Sequence, residues 1–568
     1  MSSRGRRADG SRDGLAAMDD GPEAGAGQTG DAGTEPEGDF APPQRRQVTL
    51  SLVCVGLAMF LASLGQTVVA SIMTLIVADL GGFDRYTWPS TSYLVAATVA
   101  YPIVGRLSDI YGRRAFLIAG IAIFIVGSAL LGVSVSMNQV IGFRLVQGIG
   151  GGMIMTCSYV SLADLFRPED RGKFIGLLGA LYAVATVVGP VMGAFVAEGI
   201  SWHWVFLFNA LAGVPTLALT MRIYPRPNSH SGRRELDYPG MAALILAVAP
   251  LALALSSIGV LYPWNAPQNI GLLAFGLAMA ALFLVIESRP GSPIMPLGIY
   301  RNRAVAVAVI VTLMTSVSLH GFVLFLPLYF QVALGVSVTQ GGTMLAPMLL
   351  GMVLGAILAG QLLSRAGGHY RIQLLVSTTL MAAGMYLLST LSDGWGFAQS
   401  SPILYSQIYL IITALGFGGV VAILSVPVQN AVPFRNVRVA TAAVQFCRSL
   451  GGMIGLAATG VVMVQGFRSG ATAIVPDNVR TTLPEGLLDS IKQDPQALLD
   501  PDTAEVLKEK VAEAGAGNAA LADSLLNSLN IALTDALSDV FTVLWVAVAL
   551  SFVVGLFLRV RPDADYHT

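Results

Sequence analysis

Charge is scarce in this chain. Of 568 residues only 12% are Asp, Glu, Lys or Arg, about half the share of a soluble domain, while 54% are hydrophobic and the mean hydropathy is +0.69. That balance excludes a soluble globular protein and points to a polytopic membrane protein, with no nucleic-acid partner expected. Cysteine is rare as well: Cys54, Cys157 and Cys447 each fall inside an apolar run, so they read as small buried hydrophobes rather than as disulfide or metal ligands, and no cofactor is expected. The opening residues lack the apolar core of a cleaved signal peptide. Residues 1–47, rich in Gly, Asp, Glu and Arg, read instead as a disordered cytoplasmic tail, leaving the first spanning helix as the targeting signal.

What is abundant is long apolar sequence. At about 20 residues per crossing, fourteen spans are predicted: 49–78, 88–108, 115–134, 139–165, 173–197, 203–222, 239–260, 269–289, 304–332, 341–365, 371–391, 402–428, 438–465 and 536–560. Alternate loops hold the basic residues, among them Arg106, Arg113 and Arg114, Arg222 to Arg234, Arg289 to Arg303, Arg365 and Arg371, and Arg435 and Arg438. The intervening short loops hold only Arg85. By the positive-inside rule this places both termini in the cytoplasm of a multi-pass plasma (inner) membrane protein.

The chain divides as a tail (1–47), a six-span bundle (48–222), a linker with two extra spans (223–303), five further spans (304–465), an extracytoplasmic insert (466–535) and a last span with its tail (536–568). The insert is acid-rich, and Leu521, Leu525, Leu529, Leu533 and Leu537 recur at four-residue spacing, which predicts a helix running into the final span. It reads as a connector or as a gate or docking site for an extracytoplasmic protein partner.

Several short motifs carry mechanism. Gly105-Arg-Leu-Ser-Asp109-Ile-Tyr-Gly112-Arg113-Arg114 reads as a tight charged turn between two spans, whose acid and arginines can pair as a latch. Arg144 opens the run Arg144-Leu-Val-Gln-Gly-Ile-Gly-Gly-Gly inside a span, where a guanidinium costs roughly 2.5 kcal/mol or more and is a functional residue by default. Gly189-Pro190-Val-Met-Gly193 combines small residues for close helix contact with a proline that removes one backbone hydrogen bond.

The 105–114 stretch resembles the loop signature of the major facilitator superfamily. The Gly189–Gly193 segment is similar to the signature associated with its antiporters, and Trp202-His-Trp-Val-Phe with Asn209 matches the start of the sixth span. With fourteen spans, 49–560 resembles the multidrug branch of the drug:proton antiporters. That resemblance implies an all-α major facilitator fold, two six-helix bundles plus two inserted helices, with a cavity between the bundles near the bilayer midplane. It implies cavity walls from spans one, four, nine and twelve, and so Gln66, Tyr159, His320, Phe325, Tyr329 and Tyr405 as substrate-binding candidates. Such an aromatic, weakly charged lining suits a lipophilic solute or a membrane lipid.

One departure stands out. The branch usually carries Leu-Asp-x-Thr in the first span, whereas this chain reads Leu64-Gly65-Gln66-Thr67, and Asp79, Asp164, Glu198 and Glu287 all lie at span ends. No acid is left near the middle of any span. His320 and Arg448, the latter in Arg448-Ser-Leu-Gly451-Gly452, are the polar candidates for proton coupling, or for structural ties to neighbouring helices. An aspartate at position 65 would be expected to add a competing proton site.

The function expected from these readings is efflux of hydrophobic or amphipathic small molecules, drug-like or lipid-like, by alternating access with protons as counter-substrate. The alternative is a proton-independent facilitator or lipid translocator of the same fold. A membrane enzyme lacks its chemistry here, since the sequence offers no acid pair, His-Asp set or metal-ligand cluster. A non-transporting scaffold would have no use for the charged turn.

Overall fold

The computed structural model describes residues 45–165, 168–225, 236–289, 294–295, 297–365, 369–390, 401–430, 437–475, 505, 507–509, 511 and 519–558. The predicted tail, most of the 466–535 insert with its docking role, and the chain after 558 lie outside them.

Without water in a hydrocarbon layer, backbone groups must pair within their own segment, and long apolar runs therefore fold as helices. The described chain is α1 (Arg45–Thr67), α2 (Val69–Leu80), α3 (Trp88–Tyr111), α4 (Arg113–Leu131), α5 (Met137–Leu165), α6 (Pro168–Gly199), α7 (Trp202–Ile223), α8 (Tyr238–Ser257), α9 (Pro267–Glu287), α10 (Arg303–Leu334), α11 (Val338–Thr343), α12 (Ala346–Arg365), α13 (Tyr370–Ser389), α14 (Pro402–Asn430), α15 (Val437–Ile474) and α16 (Ala519–Gly555). No strand forms among the described residues.

Among those residues thirteen helices are long and apolar enough to cross a membrane. The predicted second span, now α3, is a 24-residue helix and not one of the thirteen, because Ser90, Thr91, Ser92, Thr98, Arg106, Ser108 and Asp109 dilute its apolar sequence. Its length still allows a crossing, at about 1.5 Å per residue, and Tyr93, Thr98 and Ser108 are buried.

Three boundaries differ from expectation. The first span is interrupted at Val68 into α1 and α2. Helix α15 runs on to Ile474, past the expected end of its span, while α16 starts at Ala519 as the leucine spacing predicts, and its stripe packs on α15: Leu525, Leu529, Leu533 and Leu537 are buried, and Gly466 and Gly470 let Ala536 and Ala532 approach. The charged turn at 105–114 shrinks to one non-helical residue. Gly105 to Tyr111 complete α3, Arg113 begins α4, and Gly112 between them holds φ +90°, a backbone conformation that favours glycine.

Packing separates two bundles. In the first, α5 lies against α3 and α4, and α1 against α6 and α7; in the second, α14 packs on α12 and α13, and α15 and α16 pack on α10. Helices α8 and α9 pair with each other, and α8 rests across the seam between α3 and α15. The bundles meet through α3 on α15, α2 on α10, and α6 on α11 and α12. At the end away from Gly112 this contact is tight: Tyr86 stacks on Phe325 with centroids 5.7 Å apart, Phe83 meets Phe467 at 6.0 Å, and the Thr339 amide donates to Glu198 at 2.7 Å. The molecule is sealed there.

Candidate transport site

Helix α5 brings Arg144 into the middle of the first bundle, where its side chain is fully buried. The small residues that follow make this possible. A Cβ at Gly148, Gly150 or Gly152 would fall within 3 Å of the α3 or α4 backbone, so these positions let three helices touch. Arg144 donates to the Gly65 carbonyl at 2.7 Å, to the Pro89 carbonyl at 3.2 Å and to Gln147 Oε1 at 2.6 Å, and its guanidinium lies 4.6 Å from the centre of the Tyr93 ring. Gln147 in turn donates to Ser128 at 2.7 Å. Dipoles and a π face, with no carboxylate among the described residues, hold this charge.

Position 65 belongs to that network rather than to a cavity. A Cβ on Gly65 would meet the Phe124 ring at 2.5 Å and Gln147 Nε2 at 3.5 Å. An acid placed there would pair with Arg144, which is why its expected role as a competitor of His320 does not follow from the geometry.

Three residues on from Gly65, the interruption of the first span at Val68 is packed against α6. A Cβ at Gly189 would come 2.4 Å from Thr67 Oγ1 and one at Gly193 2.4 Å from Val68 Cγ2, while Thr67 Oγ1 donates to the Ala185 carbonyl at 3.1 Å. The Gly189-Pro190-Val-Met-Gly193 segment is thus the seat of the α1–α2 joint, and the joint presents Gln66 to the space between the bundles.

That space is narrow. One chamber, with about 440 Å³ of atom-free volume, is walled by Gln66, Thr67 and Ala70 from α1 and α2, Ser90 and Leu94 from α3, Tyr182 and Thr186 from α6, Leu319, His320, Val323 and Leu324 from α10, and Leu456 from α15. It continues toward the Gly112 end past Tyr101, Met155, Gln445, Arg448 and Ser449.

At the centre His320 joins the two bundles. Its Nδ1 is 3.0 Å from the Ser316 carbonyl, which can only accept, so Nδ1 carries the proton and the Nε2 lone pair accepts from Gln66 Nε2 at 3.1 Å. Close by, Thr98 donates to Ser449 at 2.6 Å and Ser449 to the Leu94 carbonyl at 3.2 Å, a second tie between bundles. The Arg448–Gly452 motif shapes this region: a Cβ at Gly452 would meet the His320 ring at 2.7 Å and one at Gly451 the Leu313 carbonyl at 2.3 Å, so the glycines seat α15 against α10 one turn from Arg448.

Of the expected lining, Gln66 and His320 border the chamber and the others lie elsewhere. Phe325 is buried against Tyr86, Tyr329 is buried against Phe541 at 5.5 Å, and Tyr405 pairs with Tyr409 at 6.2 Å on α14. Tyr159 sits on α5 within electrostatic reach of Arg448. The walls come from spans one, two, five, nine and thirteen, with Met155 of span four on the continuation toward the Gly112 end, where spans one, four, nine and twelve were expected. Tyr101, Tyr182, Thr186 and Gln445 were missed, though each is a polar interruption of an apolar run and so left a signal.

At the basic end, Arg113 donates to Asp109 Oδ1 at 3.0 Å and to the Val160 carbonyl of α5 at 2.8 Å, and Arg114 donates to the Met221 carbonyl at the end of α7. The motif therefore ties α3, α4, α5 and α7 of one bundle together. Trp202 and His203 do the same at the other end, through Asp79 at 3.0 Å and the Ser134 carbonyl at 3.0 Å.

Comparison with known proteins agrees with this architecture. Residues 55–456 match the family model described as Major Facilitator Superfamily. The chain is 32% identical over 530 residues to Multidrug transporter protein MdtP of Bacillus subtilis, covering 90% of this chain and 93% of that one. It is 30% identical to Multidrug resistance protein 3 of the same organism, covering 92% and 98%. Among solved structures it resembles a bacterial homologue of the human lysosomal transporter Spinster, with a TM-score of 0.58, 15% identity and coverage of 92% and 100%. A multi-pass chain with two bundles about a central chamber and the family's model along most of its length belongs to the Major Facilitator Superfamily.

Proposed function

We propose that this protein exports hydrophobic or amphipathic small molecules across the plasma membrane, by alternating access and in exchange for protons. The carrying observation is the Gln66–His320 contact, a single hydrogen bond between titratable and amide groups of opposite bundles in the wall of the chamber between them. The names of the two Bacillus subtilis relatives, a multidrug transporter and a multidrug resistance protein, support a transporter of several drugs, and a relative named Efflux pump FUS6 supports the export direction. In this reading the Gly112 end faces the cytoplasm, as the arginines of its loops require, and the sealed end faces out.

The contact offers a coupling device. Neutral His320 accepts the Gln66 amide proton at Nε2; a proton arriving at Nε2 turns that acceptor into a donor, so the Gln66 N–H must turn away or the bundles must part. Arg448 is the charged group that faces His320, with the Ser316 carbonyl and Gly452 as its other neighbours. Substrate leaving and proton entering then act on one hydrogen bond.

Transport into inverted vesicles, with and without an imposed pH gradient, tests this. Wild-type export of a lipophilic probe should rise with the gradient, and His320→Ala should cut the gradient-driven component by about tenfold or more while weakening probe binding only slightly. Export that ignores the gradient in the unmodified protein would leave the uncoupled facilitator or lipid translocator in its place. The replacement of the usual first-span acid by Gly65, which turns toward Phe124 and Gln147, is the observation behind that second reading.

A further inference from the structure

Three arginines lie deep in or near the bundles, and two of them are held by protein acceptors. Arg144 has three oxygen acceptors and a tyrosine face, and Arg113 has Asp109 and the Val160 carbonyl. Arg448 differs. It is partly exposed, it opens into the chamber between the bundles, and among the described residues nothing forms a hydrogen bond or ion pair with it. The described walls of the chamber contain no carboxylate, so Arg448 is their single fixed charge. A guanidinium at this depth costs about 2.5–3.5 kcal/mol, and the fold has built a polar cup around it instead of a counter-ion. The phenols of Tyr101 and Tyr182 stand within its electrostatic reach, with Gln445 and Ser449 one turn of α15 around it. Beyond His320 the chamber changes character, to Leu319, Val323, Leu324 and Leu456.

We propose that Arg448 anchors an oxyanion, and that the transported solute is therefore an amphipathic organic acid whose carboxylate or sulfonate sits on the Arg448 fork while its apolar body fills the leucine-lined part of the chamber. This rests on the export reading above and sharpens its substrate class. Planar guanidinium matches a two-oxygen head group bidentately, and such charge-assisted pairs are about twice as strong as neutral ones. A lipophilic cation would meet an uncompensated positive charge in the same chamber. The phosphate of an anionic lipid offers the same chemistry as a free acid, so the test separates the two.

The experiment uses the purified full-length chain in phosphatidylcholine nanodiscs and three fluorescent probes of one length: dansyl-aminoundecanoate, its methyl ester and its trimethylammonium analogue. Binding of the carboxylate should exceed that of the other two by about tenfold. Arg448→Gln should abolish this preference without changing ester binding, Arg448→Lys should keep part of it, and Arg448→Glu should turn it toward the ammonium. Phosphatidylglycerol added to the discs should compete only if the natural occupant is a lipid head group; probe binding that persists assigns the site to free acids. Equal or tighter binding of the ammonium, or a carboxylate preference that survives Arg448→Gln, would overturn the proposal. If vesicles export the ester and ammonium but never the acid, the charge assignment falls and the exporter stands. If they export none of the three, the exporter reading falls too.

Discussion

Gly342→Val should hold the sealed end of the molecule open and slow transport by one to two orders of magnitude. Gly342 lies on α11 of the second bundle, and a Cβ there would stand 2.8 Å from Ala194 Cβ and 3.1 Å from the Pro190 carbonyl of α6 in the first. Valine adds two further carbons beyond that. Forcing extra methylenes into a packed contact costs about 1–3 kcal/mol, and this contact joins the two bundles, so the cost falls on the state in which they are closed at that end. A shift of about 3 kcal/mol changes the ratio of two states by roughly a hundredfold. The protein still folds, because each bundle keeps its own packing, but it spends its time in the state that cannot form the seal. A cysteine placed at Thr186 reports this directly. Its reaction with a membrane-impermeant maleimide added from the sealed side should speed up in the valine variant. An unchanged labelling rate with normal export would show that α11 and α6 do not form the seal.

The charges of the short loops, the run of apolar segments and the glycine motifs made the bundle plan legible before any coordinates, because each reflects a local requirement: a helix long enough to cross, a terminus on the basic side, a close approach between helices. Gly112 shows the limit of such reading. Its spacing from Gly105 and Asp109 suggested a ten-residue loop, but glycine at the one position of φ +90° is all the reversal needs, and the helices close up to it. The site was harder to read, for a reason that lies in the bilayer. A helix apolar all round gives no sign of which face turns toward the chamber, so Phe325, Tyr329 and Tyr405 looked equivalent to Tyr101 and Tyr182 until their neighbours were known. Position 65 poses the same difficulty. The sequence shows that an acid is absent, but only the packing shows that its place faces Phe124 and Gln147, while the next residue, Gln66, faces His320. Arg144 takes the Gly65 carbonyl as an acceptor, with no carboxylate beside it among the described residues.

Asp109→Asn or Arg113→Ala should reduce transport at least tenfold while the protein remains inserted and ligand binding survives. Arg113 is nearly buried and spends its two ends on different helices, one on Asp109 of α3 and one on the Val160 carbonyl of α5, so it fixes where α4 begins relative to both. A single hydrogen bond to a charged group contributes about 1.5–3 kcal/mol, enough to change which arrangement of the basic end is favoured but small beside the packing of a whole bundle. Both partners lie far from Gln66 and His320, which is why affinity should hold while the cycle stalls. Arg113→Lys separates geometry from charge: an ammonium keeps the attraction to Asp109 but is a point donor, unable to span a carboxylate and a carbonyl as the planar fork does. Lysine should therefore recover only part of the rate. Full activity in the lysine variant would reduce the motif to simple charge on the basic face, and full activity in the alanine variant would remove it from the transport cycle altogether.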